Sequence, residues 1–413
     1  MTDHLDLYSV ELTLTTGGGS LTDELPPGTP EHIDATPAID HLGRPIIPGP
    51  TVAGSLRSHL AARDPDLAHR LFGSAGAESA RSSRLRVVGV VPLDVSLAVD
   101  RGTAIDRTRG AARTFNLRSV QRFEAGSRLC IFLRIDDLDS DDKQQWEAAL
   151  VSWHPTLGSG VSSGRGEATV DRIRAGRLSL GTREGLRDFL SMSGPALFDK
   201  IADELLSLVP AGKPRRWQRV FRLASDLFSW DGNQAEGNLR CTRTVRIGAG
   251  AEVPMLTGRT LKGIWRSRTE YILESVGLPR CTEATCGSCL ACQIFGWQGA
   301  EAGARAATRT SDSLVSGAML VDRTHIAIDR FTGGVANARS RRSASGGDEV
   351  MELEPSGLLF THRVARGGEL TVTIDALDAD DELWASAQAL FALVAWDLHE
   401  GLVGVGGATT RES

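Results

Sequence analysis

The sequence predicts an α+β fold built twice from one unit, and two observations carry that prediction. The first is repetition. "PGPTVAGSLRS" (Pro48–Ser58) returns as "TGRTLKGIWRS" (Thr257–Ser267), with Gly54 and Gly263 209 residues apart. "LFG" ending at Gly73 returns as "IFG" ending at Gly296, and "AIDRTRGAA" from Ala104 as "AIDRFTGGVA" from Ala327, both 223 apart. "LGSGVSSGRGEATV" from Leu157 returns as "VGVGGATTRES" from Val403. The offset grows by 14 residues where the second copy carries "CTEATCGSCLAC" and the first has no cysteine, so one insertion explains the mismatch. The second observation is the order of patterns inside each copy, β, α, β, β, α, β, which is ferredoxin-like.

Each element has a local reason. "LDLYSVELTLTT" alternates like a half-buried strand. "GPTVAGSLRSHLAARD" and "GRTLKGIWRSRTEYILESVG" read as a glycine turn followed by an amphipathic helix. "RLCIFLRIDD" and "ELTVTIDAL" read as strands, while "DDKQQWEAALVSW" and "DELWASAQALFALVAWDL" read as helices that lead into the glycine loops. The units run over about 1–175 and 219–413. The stretch 176–218 between them has apolar residues at helical spacing, broken at Gly194-Pro195 and stopped near Pro210–Pro214, and reads as a helical connector.

At 413 residues with 41% hydrophobic and 24% charged residues, the chain suits two soluble domains. No apolar run approaches a membrane span, and the acidic, strand-like start is no signal peptide. Six cysteines, four of them within a dozen residues, argue for a reducing cytoplasm over a disulfide framework. The net charge of -6 hides segregation: eight arginines between Arg101 and Arg134 face only Asp106 and Glu124. Arg240, Arg243 and Arg246 form a second basic cluster, and Arg339, Arg341 and Arg342 a third.

Cys281, Cys286, Cys289 and Cys292 form C-x4-C-x2-C-x2-C, four thiols close enough to complete a tetrahedral Zn2+ shell in an insertion over about 280–293. An iron–sulfur cluster has the same ligand chemistry. Cys130 and Cys241 stand apart and read as structural, and His32, His41, His59 and His69 pair with no nucleophile motif. A helix opened by a glycine turn, with Arg57 in one copy and Lys262 and Arg266 in the other, is a candidate anion site.

Taken together, "IDATPAIDHLGRPIIPGPTVAGSLR", "IDRFTGGVA…EVM" and the closing glycine loops resemble the hallmark segments of the RAMP superfamily. The likeness is strongest to the repeating backbone subunits of type III CRISPR complexes. It implies two RRM-like modules that grip guide RNA and present it to complementary target RNA, alongside other backbone, small and large polymerase-like subunits. It implies RNA contacts from Thr51, Arg57, Ser163 and Arg165 in the first copy. In the second it implies them from Arg259, Lys262, Arg266, Thr409 and Arg411. The segments after Asp106 and Asp329 become wedges into the duplex, with Arg107, Arg109, Arg330 and Phe331 near the RNA. Target cleavage would rest on Asp34, with Asp40 as second choice, aided by Mg2+ or a similar divalent ion. The second copy's matching stretch, Gly237–Ala251, holds no carboxylate, and an ungapped alignment sets Arg240 opposite Asp34. One cutting and one binding unit are therefore expected. A non-catalytic backbone subunit, a guide-precursor endoribonuclease and a zinc-dependent scaffold unrelated to RNA are the alternatives. The sequence given ends inside the second glycine loop, which leaves three readings for the second unit's last strand: missing, supplied by a neighbour, or cut away from a longer chain.

Overall fold

The structure is a computed structural model that describes residues 2–74, 80–106, 111–210, 212, 214–232, 239–246, 252–279, 281, 286–297, 306–326 and 359–407. The chain divides into two units, Met1–Pro214 and Arg215–Ser413. Among the described residues no helix is long and apolar enough to cross a membrane.

The first unit begins with β1 (His4–Leu14), followed by α1 (Gly49–Ala61), α2 (Pro65–Phe72) and β2 (Leu85–Asp94). A hairpin of β3 (Leu97–Asp106) and β4 (Ala111–Phe123) precedes β5 (Arg128–Asp136), α3 (Ser140–Leu150) and β6 (Ala168–Ser179). The main sheet runs β2-β5-β1-β6, each neighbour antiparallel, which is the second-third-first-fourth order of a ferredoxin-like fold. Tyr8, Val10, Leu12 and Leu14 of β1 join Leu129, Ile131, Leu133 and Ile135 of β5 beneath Leu56 and Leu60 of α1 and Trp146 of α3. Tyr8 meets Trp146 edge-on at 6.0 Å and donates its hydroxyl to Glu147 at 3.0 Å, and burial holds that phenol protonated.

β1 is not half-buried as its alternation suggests; Leu5 to Val10 are all buried. The reason is the segment after β6. α4 (Arg183–Ser191), α5 (Pro195–Ile201) and the short β7 (Glu204–Leu205) lie on the first unit, and β7 pairs with β6. Leu197 and Phe198 of α5 cover Leu5, Leu7 and Phe132 in a second apolar cluster, with Phe132 and Phe198 4.9 Å apart.

The second unit repeats the order. β8 (Arg216–Arg222) leads to the short β9 (Leu239–Cys241), β10 (Thr244–Arg246) and β11 (Glu252–Leu256). Then come α6 (Gly258–Ser275), α7 (Leu290–Phe295), β12 (Thr308–Thr310), β13 (Ser313–Ser316), β14 (Met319–Ile326), β15 (Leu359–Arg366), β16 (Glu369–Ala376) and α8 (Asp381–His399). Its main sheet is ordered β8-β16-β13-β11-β10, with β12 also on β16, so β8, β13 and β16 stand where β1, β2 and β5 stand in the first unit. Its core is aromatic: Trp217 packs against Trp265 and Phe391 at 6.1 and 5.7 Å, and Phe295 against Phe391 at 5.9 Å. Among the described residues no strand corresponds to β6, and β8 pairs only with β16.

Because each unit has its own core, damage should stay local. Trp146→Ala and Trp265→Ala, at fully buried positions, should each cost about 3–5 kcal/mol. Limited proteolysis of each variant should release the intact other unit; simultaneous loss of both units in either variant would show that they fold as one.

Candidate nucleic-acid interface and metal centre

At one end of the first sheet two glycine-rich backbones run against each other. The loop after β1 (Gly17, Gly18, Gly19, Ser20) meets the loop after α3: Gly166 N donates to Gly17 O at 3.1 Å and Ser159 N to Gly19 O at 3.1 Å. A Cβ on Gly18 would stand 2.4 Å from Gly166 Cα, so neither backbone tolerates a side chain there. Gly18 also exchanges both backbone hydrogen bonds with Phe123 of β4, each 3.0 Å, which fixes the hairpin to the same corner. α1 joins through hydroxyls, Ser20 to Thr51 at 2.6 Å and Thr156 N to Ser55 at 3.3 Å. Ser163 ends a single 3-10 turn and bonds Gly160 O, while Arg165 and Arg122 flank the buried Asp100, each 3.6 Å away. Arg122 also reaches Ser159 Oγ at 3.1 Å.

Asp34 lies beside β4 further along, at Ser119, four residues from the Phe123 that holds Gly18. Its backbone N donates to Ser119 O at 2.8 Å, and its Oδ2 accepts from Ser119 N at 2.7 Å, so β4 holds the carboxyl while the residue stays exposed. Asp40 is used differently. Its Oδ1 accepts from Leu42 N and Arg44 N, and its Oδ2 from the Arg44 guanidinium at 2.8–2.9 Å. The backbone hydrogen bond from Arg44, and then the Arg44 side chain, hold this carboxyl below its ordinary pKa. Asp40 closes a turn, whereas Asp34 presents a carboxylate to solvent.

Val120 and Phe123 of the hairpin are buried near its base, while other aliphatics along it are exposed: Ile105 is 54% and Leu117 55% exposed, with Val99 at 41%. Sequence reading did not single these out, although alternation of apolar residues on a two-stranded ribbon is the signal that marks them. Arg107 and Arg109, at the expected wedge, lie outside the described residues, as do Arg330, Phe331, Thr409 and Arg411.

The second unit reuses the corner with other chemistry. Leu227 exchanges both backbone bonds with Ala365 of β15, and Gly407 N donates to Phe228 O at 2.7 Å, as Ser159 does to Gly19. Phe228 takes the place of Gly19 and stacks on His362 at 4.1 Å. With Leu227 on Ala365 as Gly18 is on Phe123, the parallel pairing Arg240↔His362 matches Ala35↔Val120. The partner of Asp34 is therefore Leu239, and Arg240 lies opposite Ala35. The ungapped alignment slipped by one residue because the two units have unequal loops between this strand and their glycine-turn helix. Arg240 instead lies over Trp230, 5.3 Å from the ring, a guanidinium–indole pair also missed in the sequence.

The helix starts differ too. α1 begins after Pro48 with no side-chain cap. In α6, Thr257 caps Thr260 N and the Asp312 carboxylate accepts from Gly258 N at 2.7 Å, so a protein carboxylate already occupies the position expected for an anion. Arg259 is exposed, and burial, then the charge of Arg266, pushes the Lys262 amine down to about 8. Arg57 and Arg266 lie in the third turns of their helices, not the first. Each donates to the carbonyl of the glycine that ends the next helix, Arg57 to Gly73 and Arg266 to Gly296. Gly73 and Gly296 have φ of 71° and 83°, which explains why both repeats end this helix in glycine.

Cys281, Cys286, Cys289 and Cys292 bring their sulfurs within 4.8 Å of one another, and none is in a disulfide. Cys289 is the residue before α7 and Cys292 lies in its first turn. A tetrahedral zinc with Zn–S of about 2.3 Å needs sulfurs ~3.8 Å apart, so four unbridged thiols converging on one point form a group that could hold a metal ion such as zinc.

The RAMP superfamily family model matches residues 12–169 and again 238–411. None of the curated proteins compared with the chain matches it significantly. Among solved structures, a chain of "Type III-B Cmr-beta Cryo-EM structure of the Apo state" is similar at 11% identity and a TM-score of 0.33, covering 40% of this chain and 96% of that one. One family match on each copy of the repeat, over most of the sequence, shows that the protein belongs to the RAMP superfamily.

Proposed function

We propose that the protein is a double backbone subunit of a type III-like CRISPR effector complex, holding guide RNA along both modules and cutting complementary target RNA at the first. The observation that carries this reading is the structural equivalence of Asp34 and Leu239: one exposed carboxylate anchored on β4 of the first module, and an aliphatic side chain at the same place in the second. Phosphates fit the corner because its backbone is bare glycine and Arg122 and Arg165 stand beside it. The exposed aliphatics Val99, Ile105 and Leu117 suit apolar contact with the faces of bases.

Asp34 would accept a hydrogen bond from the 2′-hydroxyl next to the scissile phosphate and orient it for attack. A single carboxylate is a sparse ligand set for Mg2+, which would take most of its remaining ligands from phosphate and water. The four cysteines would hold structural zinc, whose binding energy, on the order of 10 kcal/mol, would order the insertion around α7. Guide RNA, target RNA and further effector subunits are the partners this reading requires, and the cytoplasm is its compartment.

The guide-loaded protein with Mg2+ should cut labelled complementary RNA at a discrete position. Asp34→Asn should lose on the order of 10²–10⁴-fold in rate with target binding intact. Tight binding without cutting in either protein would make the chain a purely structural backbone subunit. The purified protein should also carry one zinc per chain by elemental analysis. Stripping it should open the second module to protease while the first stays intact; iron with a visible charge-transfer spectrum would replace zinc in this account.

A further inference from the structure

Arg266 does more than clamp a glycine. Its side chain is only 12% exposed, and the structure engages its whole guanidinium. Nε donates to Glu270 Oε1 at 2.9 Å, Nη1 to Gly296 O, and Nη2 faces two sulfurs, Cys292 at 3.4 Å and Cys281 at 3.8 Å. Cys281 and Cys292 are the two buried members of the cysteine group. Glu270, itself buried one turn further along α6, fixes the guanidinium plane so that one edge is turned to the sulfurs.

We propose that Arg266 is a positioning residue of the metal centre, donating N–H···S hydrogen bonds to the Cys281 and Cys292 thiolates and tying the bound metal to α6. The inference rests on the reading that the four cysteines hold zinc. Four thiolates around a divalent ion carry a net charge of −2, and two of them are buried, so N–H donors fixed beside those sulfurs replace solvation that burial removes, while the buried Glu270 carboxylate balances the guanidinium charge itself. Donation to sulfur draws density from it and restrains the side-chain rotation that precedes ligand loss. The first module sets the contrast: Arg57 makes the glycine contact from the same helical position, and "LFG" there has no cysteine near it. The glycine contact belongs to the shared fold, and the sulfur contacts belong to the insertion.

The test uses the full chain. Zinc content of the wild type is measured first, then the rate of zinc transfer to a chromogenic chelator, for wild type, Arg266→Met, Arg266→Lys and Glu270→Gln. Arg266→Met should release zinc 10–100-fold faster, with the other two between it and wild type. Because loss of the Gly296 contact could loosen α7 by itself, each protein is also loaded with Co2+. The thiolate-to-cobalt charge-transfer band should shift in Arg266→Met, since the bonds to sulfur are gone, and return toward the wild-type position in Arg266→Lys. Superimposable cobalt spectra or unchanged zinc release would overturn the proposal while leaving the zinc reading intact. A wild type with no metal would overturn both. Should Arg266→Met fail to fold, Glu270→Gln and Arg266→Lys give the same two readouts.

Discussion

Both modules depend on a close approach of main chain to main chain. Where Gly18 lies on Gly166, two backbones sit nearer than any side chain allows. From that contact the hairpin, the N-terminal part of α1 and the Asp34 stretch take their places, because each is hydrogen-bonded to one of the two loops or to β4 beside them. The second module keeps the same hydrogen bonds with Leu227, Phe228 and Gly407. The polar groups of these turns are thus met inside the protein, by backbone and by the hydroxyls of Thr16, Ser55 and Ser163.

Duplication let that chemistry diverge. The first module carries a carboxylate held by Ser119, paired arginines and an uncapped helix start. The second carries Leu239, a stacked Phe228–His362 pair, an arginine over Trp230 and a helix start already met by Asp312. Electrostatically the second helix terminus is the less inviting for an incoming phosphate, since an anion would displace or face a carboxylate. These differences lie at side chains, while three adjacent strands are shared, β2-β5-β1 in the first module and β13-β16-β8 in the second, and beyond them the two sheets continue differently among the described residues.

Much of this was legible in the sequence because the repeat is written in residues that backbone geometry demands. Glycines that end helices or allow close approach cannot drift, and neither can the apolar rows of β1 and β5 that face the helices. What escaped was whatever depends on a third element. β1 reads as half-buried, and only the docking of α5 onto Leu5 and Leu7 shows why its other face is apolar too. Arg57 and Arg266 read as surface cations, since nothing local announces that a glycine carbonyl 16 or 30 residues on will receive them. Asp34 and Asp40 look alike in "HIDATPAID", and the turn to Arg44 is what separates a structural carboxylate from an exposed one. The one-residue slip at Arg240 has the same origin: loop lengths differ between copies, and only pairing with β15 sets the register.

The glycine-clamping arginine shows what a duplicated fold makes cheap. A site for buried thiols or thiolates ordinarily needs hydrogen-bond donors brought into a poorly solvated place, which is costly to assemble from nothing. Here the corner between the long helix and the short one already held a guanidinium for a neutral purpose, as Arg57 still does. The cysteines between those helices meet N–H donors already fixed in place, and the charge that accompanies them is Glu270, which stands where the repeat offset of 209 sets Ala61 in the first module and which balances the guanidinium. A donor shared by both modules gives one reason why an insertion of this kind is tolerated at this point of the fold.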